Sequence, residues 1–197
     1  MTAAFIYCFL SDISIMKTPN ILTLLRIALI PMLVILFYLP FKWSNLACGC
    51  IFAIACFTDW LDGFVARKLD QTTKLGAFLD PVADKLIVAV ALVLVSVEYN
   101  TAFVTIPAIV IISREIVISA LREWMAELGK RSNVKVSSLG KIKTAMQMLS
   151  IFILLVVEHD TYFSLAGIVA LYLSALLTIW SMFIYLKAAW SDFKQHS

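Results

Sequence analysis

The sequence predicts an all-α fold, a polytopic membrane protein built as a six-transmembrane-helix bundle, and three observations predict it. Hydrophobic residues make up 62% of the 197 and charged residues only 15%, against roughly 45–50% and 25% in a soluble globular chain. A soluble core of this size cannot hide so much apolar surface, which excludes both a soluble globular fold and a disordered chain. Six apolar stretches come near the roughly 20 residues a helix needs to cross about 30 Å of hydrocarbon. None shows an alternating period of two, and a helix satisfies its own backbone where no water can.

The stretches run Ile21–Phe41, Asn45–Arg67, Gly76–Val97, Thr101–Leu121, Ile142–Val157 and Tyr162–Leu186. The fifth is short, and the second and third carry carboxylates near one end. Pro31 and Pro107 fall inside spans, which membrane helices tolerate. No internal repeat or low-complexity linker divides the chain, so it reads as one bundle. Cys8, Cys48, Cys50 and Cys56 are scattered among apolar residues. They read as small packing groups rather than a disulfide framework or a metal site.

Orientation follows from the loops. Those after the second and fourth spans contain Lys68 and Lys74, then Arg122, Lys130, Arg131, Lys135, Lys141 and Lys143. The opposite loops contain Lys42 alone, set against Glu98, Glu158 and Asp160. The positive-inside rule therefore places both termini and the two basic loops in the cytoplasm, and a tail with Lys187 and Lys194 agrees. Trp43, Trp60, Trp124 and Trp190 fall near span ends, as an interfacial aromatic belt requires. A net charge of +3 is too small to imply nucleic acid.

Residues 1–15 hold a short apolar run, Ala3–Leu10, without the basic n-region or the small-residue cleavage site of a signal peptide. They are either an interfacial segment or upstream sequence not used in the cell. The second reading is preferred, since Met16 begins a plausible protein of its own, and residues 16–197 then form the membrane domain.

Charges inside membrane spans cost about 2.5–3.5 kcal/mol each on insertion scales, so each needs a reason. This chain concentrates them at the cytoplasmic ends of the second and third spans. Asp59 and Asp62 are three residues apart, and Gly76, Asp80 and Asp84 are four apart, so each set shares one helical face. Two antiparallel helices would bring the four carboxylates together near the membrane surface. A cluster of that charge calls for a cation, and oxygen donors without His or Cys select a hard one, Mg²⁺, Mn²⁺ or Ca²⁺. Four carboxylates suffice for two divalent ions, an arrangement suited to displacement at phosphorus. Arg67 is a fixed cation able to fork onto phosphate oxygens, while Gly63 and Gly76 leave room for a bulky ligand. A single Asp paired with Lys68, Lys74 or Lys85 would be an ordinary surface acid. Four Asp, two Gly and an Arg at helical spacings are not.

The segment Asp59 to Asp84 fills every fixed position of the pattern D-x-x-D-G-x-x-A-R-x8-G-x3-D-x3-D, and by it the chain resembles the CDP-alcohol phosphatidyltransferases. The runs Pro19–Arg26, Ser113–Ile116, Leu121–Lys130 and Lys135–Thr144 look like the bacterial branch of that family that makes phosphatidylglycerophosphate. The resemblance covers residues 16–190 and leaves out 1–15.

The resemblance implies six transmembrane helices, a homodimer in the bacterial cytoplasmic (inner) membrane, and two divalent cations, Mg²⁺ or Mn²⁺. It implies Asp59, Asp62 and Asp80 as metal ligands and Asp84 as the general base that also touches an ion. CDP-diacylglycerol would lie against Gly63, Ala66, Arg67 and Gly76, with Thr73 and Asn20 nearby. The acceptor hydroxyl would attack the phosphorus bearing the diacylglycerol, and CMP would leave.

The signature handles the shared donor and does not name the acceptor. Glycerol 3-phosphate is the acceptor implied by the wider match; the alternatives within the family are a cardiolipin synthase, a phosphatidylinositol phosphate synthase or a phosphatidylserine synthase. A cation transporter is the alternative of another class, but its site would belong near the bilayer midplane, away from these carboxylates. Arg114, mid-span, is the residue-level pointer to the acceptor. Adjacent helical residues point about 100° apart, so Glu115 is not expected to satisfy it, and Arg114 is left to face the cavity beneath the carboxylates. With Lys135 and Lys141 closing from the basic loop, it would suit a phosphate monoester and suit serine poorly.

Overall fold

A computed structural model describes residues 18–69, 74–127, 138–158 and 161–194. They form six α-helices, with no strand among the described residues: α1 (Thr18–Tyr38), α2 (Ser44–Leu69), α3 (Lys74–Tyr99), α4 (Ala102–Glu127), α5 (Ser138–Val156) and α6 (Tyr162–Lys194). Each predicted stretch lies on one helix, and the differences are at the ends. Helical hydrogen bonding carries α4 and α6 past Leu121 and Leu186, where the apolar stretches end, into mixed sequence that carries charges. At the other extreme α1 ends at Tyr38 rather than Phe41, because Pro40 disfavours helical backbone at Leu39. Pro31, Pro81 and Pro107 all sit inside continuous helices.

Two helices contain windows long and apolar enough to cross a membrane, Ala102–Met125 and Tyr162–Phe183. Thr23–Tyr38, Ser44–Asp59 and Ile142–Val156 are apolar but shorter. Only 33% of each long window is buried, so these are not core helices of a soluble domain. Their outward faces carry Phe103, Ile106, Ile109, Leu176 and Trp180, all more than half exposed. This is the surface of a membrane protein. Trp43, in the α1–α2 connection, is exposed, and Trp124 near the end of α4 partly so, while the side chains of Trp60 and Trp190 lie outside the described residues.

The chain divides into two compact units, one up to Val90 and one from Ala91; α3 runs from the first into the second. In the first, α1 packs on α2 through Leu33, Cys48, Phe52 and Ala55. Ser44 at the start of α2 donates its Oγ to the Leu36 carbonyl at 2.5 Å, and Cys48 donates its Sγ to Leu33 O at 3.8 Å. In the second, α6 packs against both α4 and α5. Val104, Ala108, Ile111 and Ile118 make the buried stripe of α4, and Ser164, Leu171, Ser174 and Thr178 that of α6. Small residues on such a stripe let membrane helices approach closely. Ser174 and Thr178 return their hydroxyls to carbonyls of their own helix, at 2.9 and 2.6 Å. Asn100 closes the α3–α4 turn at φ 42°, a left-handed conformation Asn adopts more readily than most residues.

Candidate active site

α1 contributes a charge that its sequence makes conspicuous. Arg26 is the one charged residue of the stretch Ile21–Phe41, and it is 1% exposed. Its Nη1 donates to Asp84 Oδ1 on α3 and lies 3.4 Å from Asp59 Oδ1 on α2. Two acids from the two ends of the Asp59–Asp84 pattern thus meet at one cationic nitrogen, within a single unit. Helical spacing explains the approach: Asp59 lies one turn beyond buried Ala55, and Asp84 one residue after buried Ala83. Both carboxylates remain part open, at 40% and 38% side-chain exposure, whereas the guanidinium is sealed.

Asp62, Gly63, Ala66 and Arg67 lie further along α2, and Gly76 and Asp80 precede Asp84 on α3; their side chains are outside the described residues. So are the side chains of Asn20 on α1 and Lys141 on α5, and all of Thr73 and Lys135. Among the described residues no three acidic, His or Cys side chains come together in a metal-binding group. The donor chemistry of the pair nonetheless fits a hard divalent cation. Asp59 and Asp84 offer part-open carboxylates that already converge on positive charge.

The second unit holds a buried guanidinium of its own. Arg114 on α4 donates from Nη1 to Glu115 Oε1 at 2.9 Å and from Nη2 to Ser181 Oγ on α6 at 2.7 Å. Lys143 on α5 donates from Nζ to the same Glu115 Oε1 at 2.8 Å. Arg114 Nε is buried without a hydrogen-bond partner among the described residues. Two expectations change. The 100° divergence of neighbours governs their Cα–Cβ bonds, not their tips, and two long side chains bend round to meet, so Glu115 does satisfy part of Arg114. Lys143 is not a loop residue: it stands in the first turns of α5, 5% exposed.

Sequence reasoning missed Arg26 as a site residue, along with Lys143 and Ser181. The cost of a charge within an apolar span, applied to Arg114, applies equally to Arg26 and was the signal that marked it. Ser181 carried none, being one serine among several on α6.

The profile of the CDP-alcohol phosphatidyltransferase family matches residues 16–180, and the chain belongs to that family. A relative in Sodalis glossinidius (strain morsitans), named CDP-diacylglycerol–glycerol-3-phosphate 3-phosphatidyltransferase, is 56% identical over 181 residues, which is 92% of this chain and 99% of that protein. Proteins of the same name in Pectobacterium atrosepticum and Yersinia pestis (strain Pestoides F) are 58% identical over 174 residues and 57% over 177. Those matches cover 88% and 90% of this chain, and 95% and 97% of the relatives.

Proposed function

We propose that the protein transfers the phosphatidyl group of CDP-diacylglycerol to sn-glycerol 3-phosphate, giving phosphatidylglycerophosphate and CMP. The observation that carries this reading is the meeting of Asp59 and Asp84 at Arg26, in a chain 56–58% identical to relatives bearing that name. Asp84 acts as general base. It takes the proton of the acceptor hydroxyl, whose oxygen bonds to the phosphorus bearing the diacylglycerol, and the bond from that phosphorus to the oxygen of the CMP phosphate breaks. Positioning supplies much of the rate, since little other covalent work falls to the protein.

Asp59, Asp62, Asp80 and Asp84 would hold two divalent cations, Mg²⁺ or Mn²⁺. Bound there, the ions supply neutralising charge for the pyrophosphate. Gly63, Ala66, Arg67 and Gly76 seat the nucleotide, with Thr73 and Asn20 at its edge. Arg114, Lys135 and Lys141 take the acceptor phosphate, and buried Arg114 Nε supports its part in this. The six helices read as six spans, with both termini and the site at the cytoplasmic face of the bacterial inner membrane. There the protein works as a homodimer, and a soluble acceptor meets a lipid donor. Residues 16–197 form the membrane domain.

The test is to incubate purified protein with CDP-diacylglycerol and a panel of acceptors, with and without Mg²⁺ or Mn²⁺, and to follow CMP release. Glycerol 3-phosphate should drive release only with metal, and serine should not replace it. A faster reaction with serine, inositol phosphate or phosphatidylglycerol would move the protein to another acceptor within the family.

A further inference from the structure

A guanidinium with 1% exposure in an otherwise apolar stretch is expensive to place, so its partners matter. As a plain structural pin between helices, Arg26 would need one carboxylate. Instead Nη1 is shared between Asp84 on α3 and Asp59 on α2, so three helices are tied to one nitrogen. The exposures are one-sided: the guanidinium is sealed, and the carboxylates are open to 40% and 38%. Arg26 therefore holds the pair from its closed side, and each carboxylate keeps an exposed part.

We infer that Arg26 is the positioning residue of the acidic site, a buried floor that orients Asp59 and Asp84 so that their outward oxygens are set for a divalent cation. The inference rests on the proposed reading of these two acids as metal ligands. Groups that orient metal ligands are worth roughly 10–100-fold in metal affinity. Arg26 acts by direction as well as by charge, because its Nη1 meets one oxygen of each acid. It touches no substrate and takes no proton.

The experiment is a Mn²⁺ titration of the purified full chain in micelles, without substrates, reading free Mn²⁺ by electron paramagnetic resonance. Arg26→Met should weaken binding by about 10–100-fold, and Arg26→Lys by less, since it keeps the charge. The Mg²⁺ concentration for half-maximal CMP release should rise in step, with kcat largely recovered at saturating Mg²⁺. Thermal unfolding in EDTA identifies folded variants; Arg26→Lys keeps the test open if Arg26→Met does not fold. Mn²⁺ affinity unchanged in folded Arg26→Lys and Arg26→Met would make Arg26 a structural pin only, and overturn the inference. Tighter binding would make Arg26 a competitor of the metal, and overturn it as well. Wild-type protein that turns over glycerol 3-phosphate yet binds no Mn²⁺ would remove the metal reading and this inference, leaving the acceptor assignment standing.

Discussion

Arg26 and Arg114 are both buried, and they are buried in opposite company. Among the described residues Arg26 faces two carboxylates, Asp59 and Asp84. Arg114 shares one carboxylate, Glu115, with a second cation, Lys143. The contacts among described residues set two acids on one cation in the first cluster and two cations on one acid in the second. The comparison teaches that the company a buried guanidinium keeps, rather than its being buried, distinguishes the two clusters: the first matches the proposed cations, the second the proposed phosphate monoester.

The comparison can be broken at either cluster, and the acid of the first gives the largest effect. Asp84→Asn keeps the shape of the side chain and removes the base, so CMP release should fall by about 10²–10⁴-fold while nucleotide binding survives. Turnover near wild type would end the assignment of Asp84 as base. In the second cluster, Glu115→Gln takes from Arg114 and Lys143 the carboxylate they share. Losing one partner of a buried pair costs about 3–5 kcal/mol, and the partial exposure of Glu115 sets the loss at the lower end. Denaturant unfolding measures it, and added glycerol 3-phosphate should restore more stability to the variant than it adds to wild type.

Arg114→Ala removes charged hydrogen bonds worth about 1.5–3 kcal/mol, so KM for glycerol 3-phosphate should rise roughly ten- to hundredfold. Lys135→Ala should act in the same direction, and neither should change CDP-diacylglycerol binding. Unchanged acceptor kinetics in both would place the phosphate pocket elsewhere. The smallest effect expected is none: a chain lacking residues 1–15 should insert and turn over like the full one, checked by CMP release from membranes carrying each.

The helices were legible because hydropathy and helical hydrogen bonding share most of their length. Ile142 opens the fifth apolar stretch, yet α5 starts at Ser138, since polar residues at a membrane surface continue a helix without signalling it. Asp59 and Asp84 were legible through their spacing with Asp62 and Asp80. Arg26 carried the same signal as Arg114, a lone charge in apolar sequence, but it stands more than thirty residues before the acids it meets, and no spacing rule links them. Glu115 was misjudged for another reason. Spacing rules place Cβ atoms, whereas the Arg114, Glu115 and Lys143 contact is made several bonds further out, where only the packing of α4, α5 and α6 decides who meets whom.

That packing has a narrow tolerance at Gly167. Ser150 Oγ on α5 donates to the Gly167 carbonyl on α6 at 2.8 Å, and a Cβ there would stand 2.9 Å from Leu154 Cδ2 and 3.0 Å from its Cγ. Leu154 is 1% exposed and has little room to yield. α6 would have to lift from α5, and α6 is also the helix that carries Ser181 to Arg114 while α5 carries Lys143. Fourteen residues of helix, about 21 Å, separate Gly167 from Ser181. A single methyl group at 167 would thus work as a wedge at one end of a lever, able to detune the proposed grip on a phosphate without touching any charged atom.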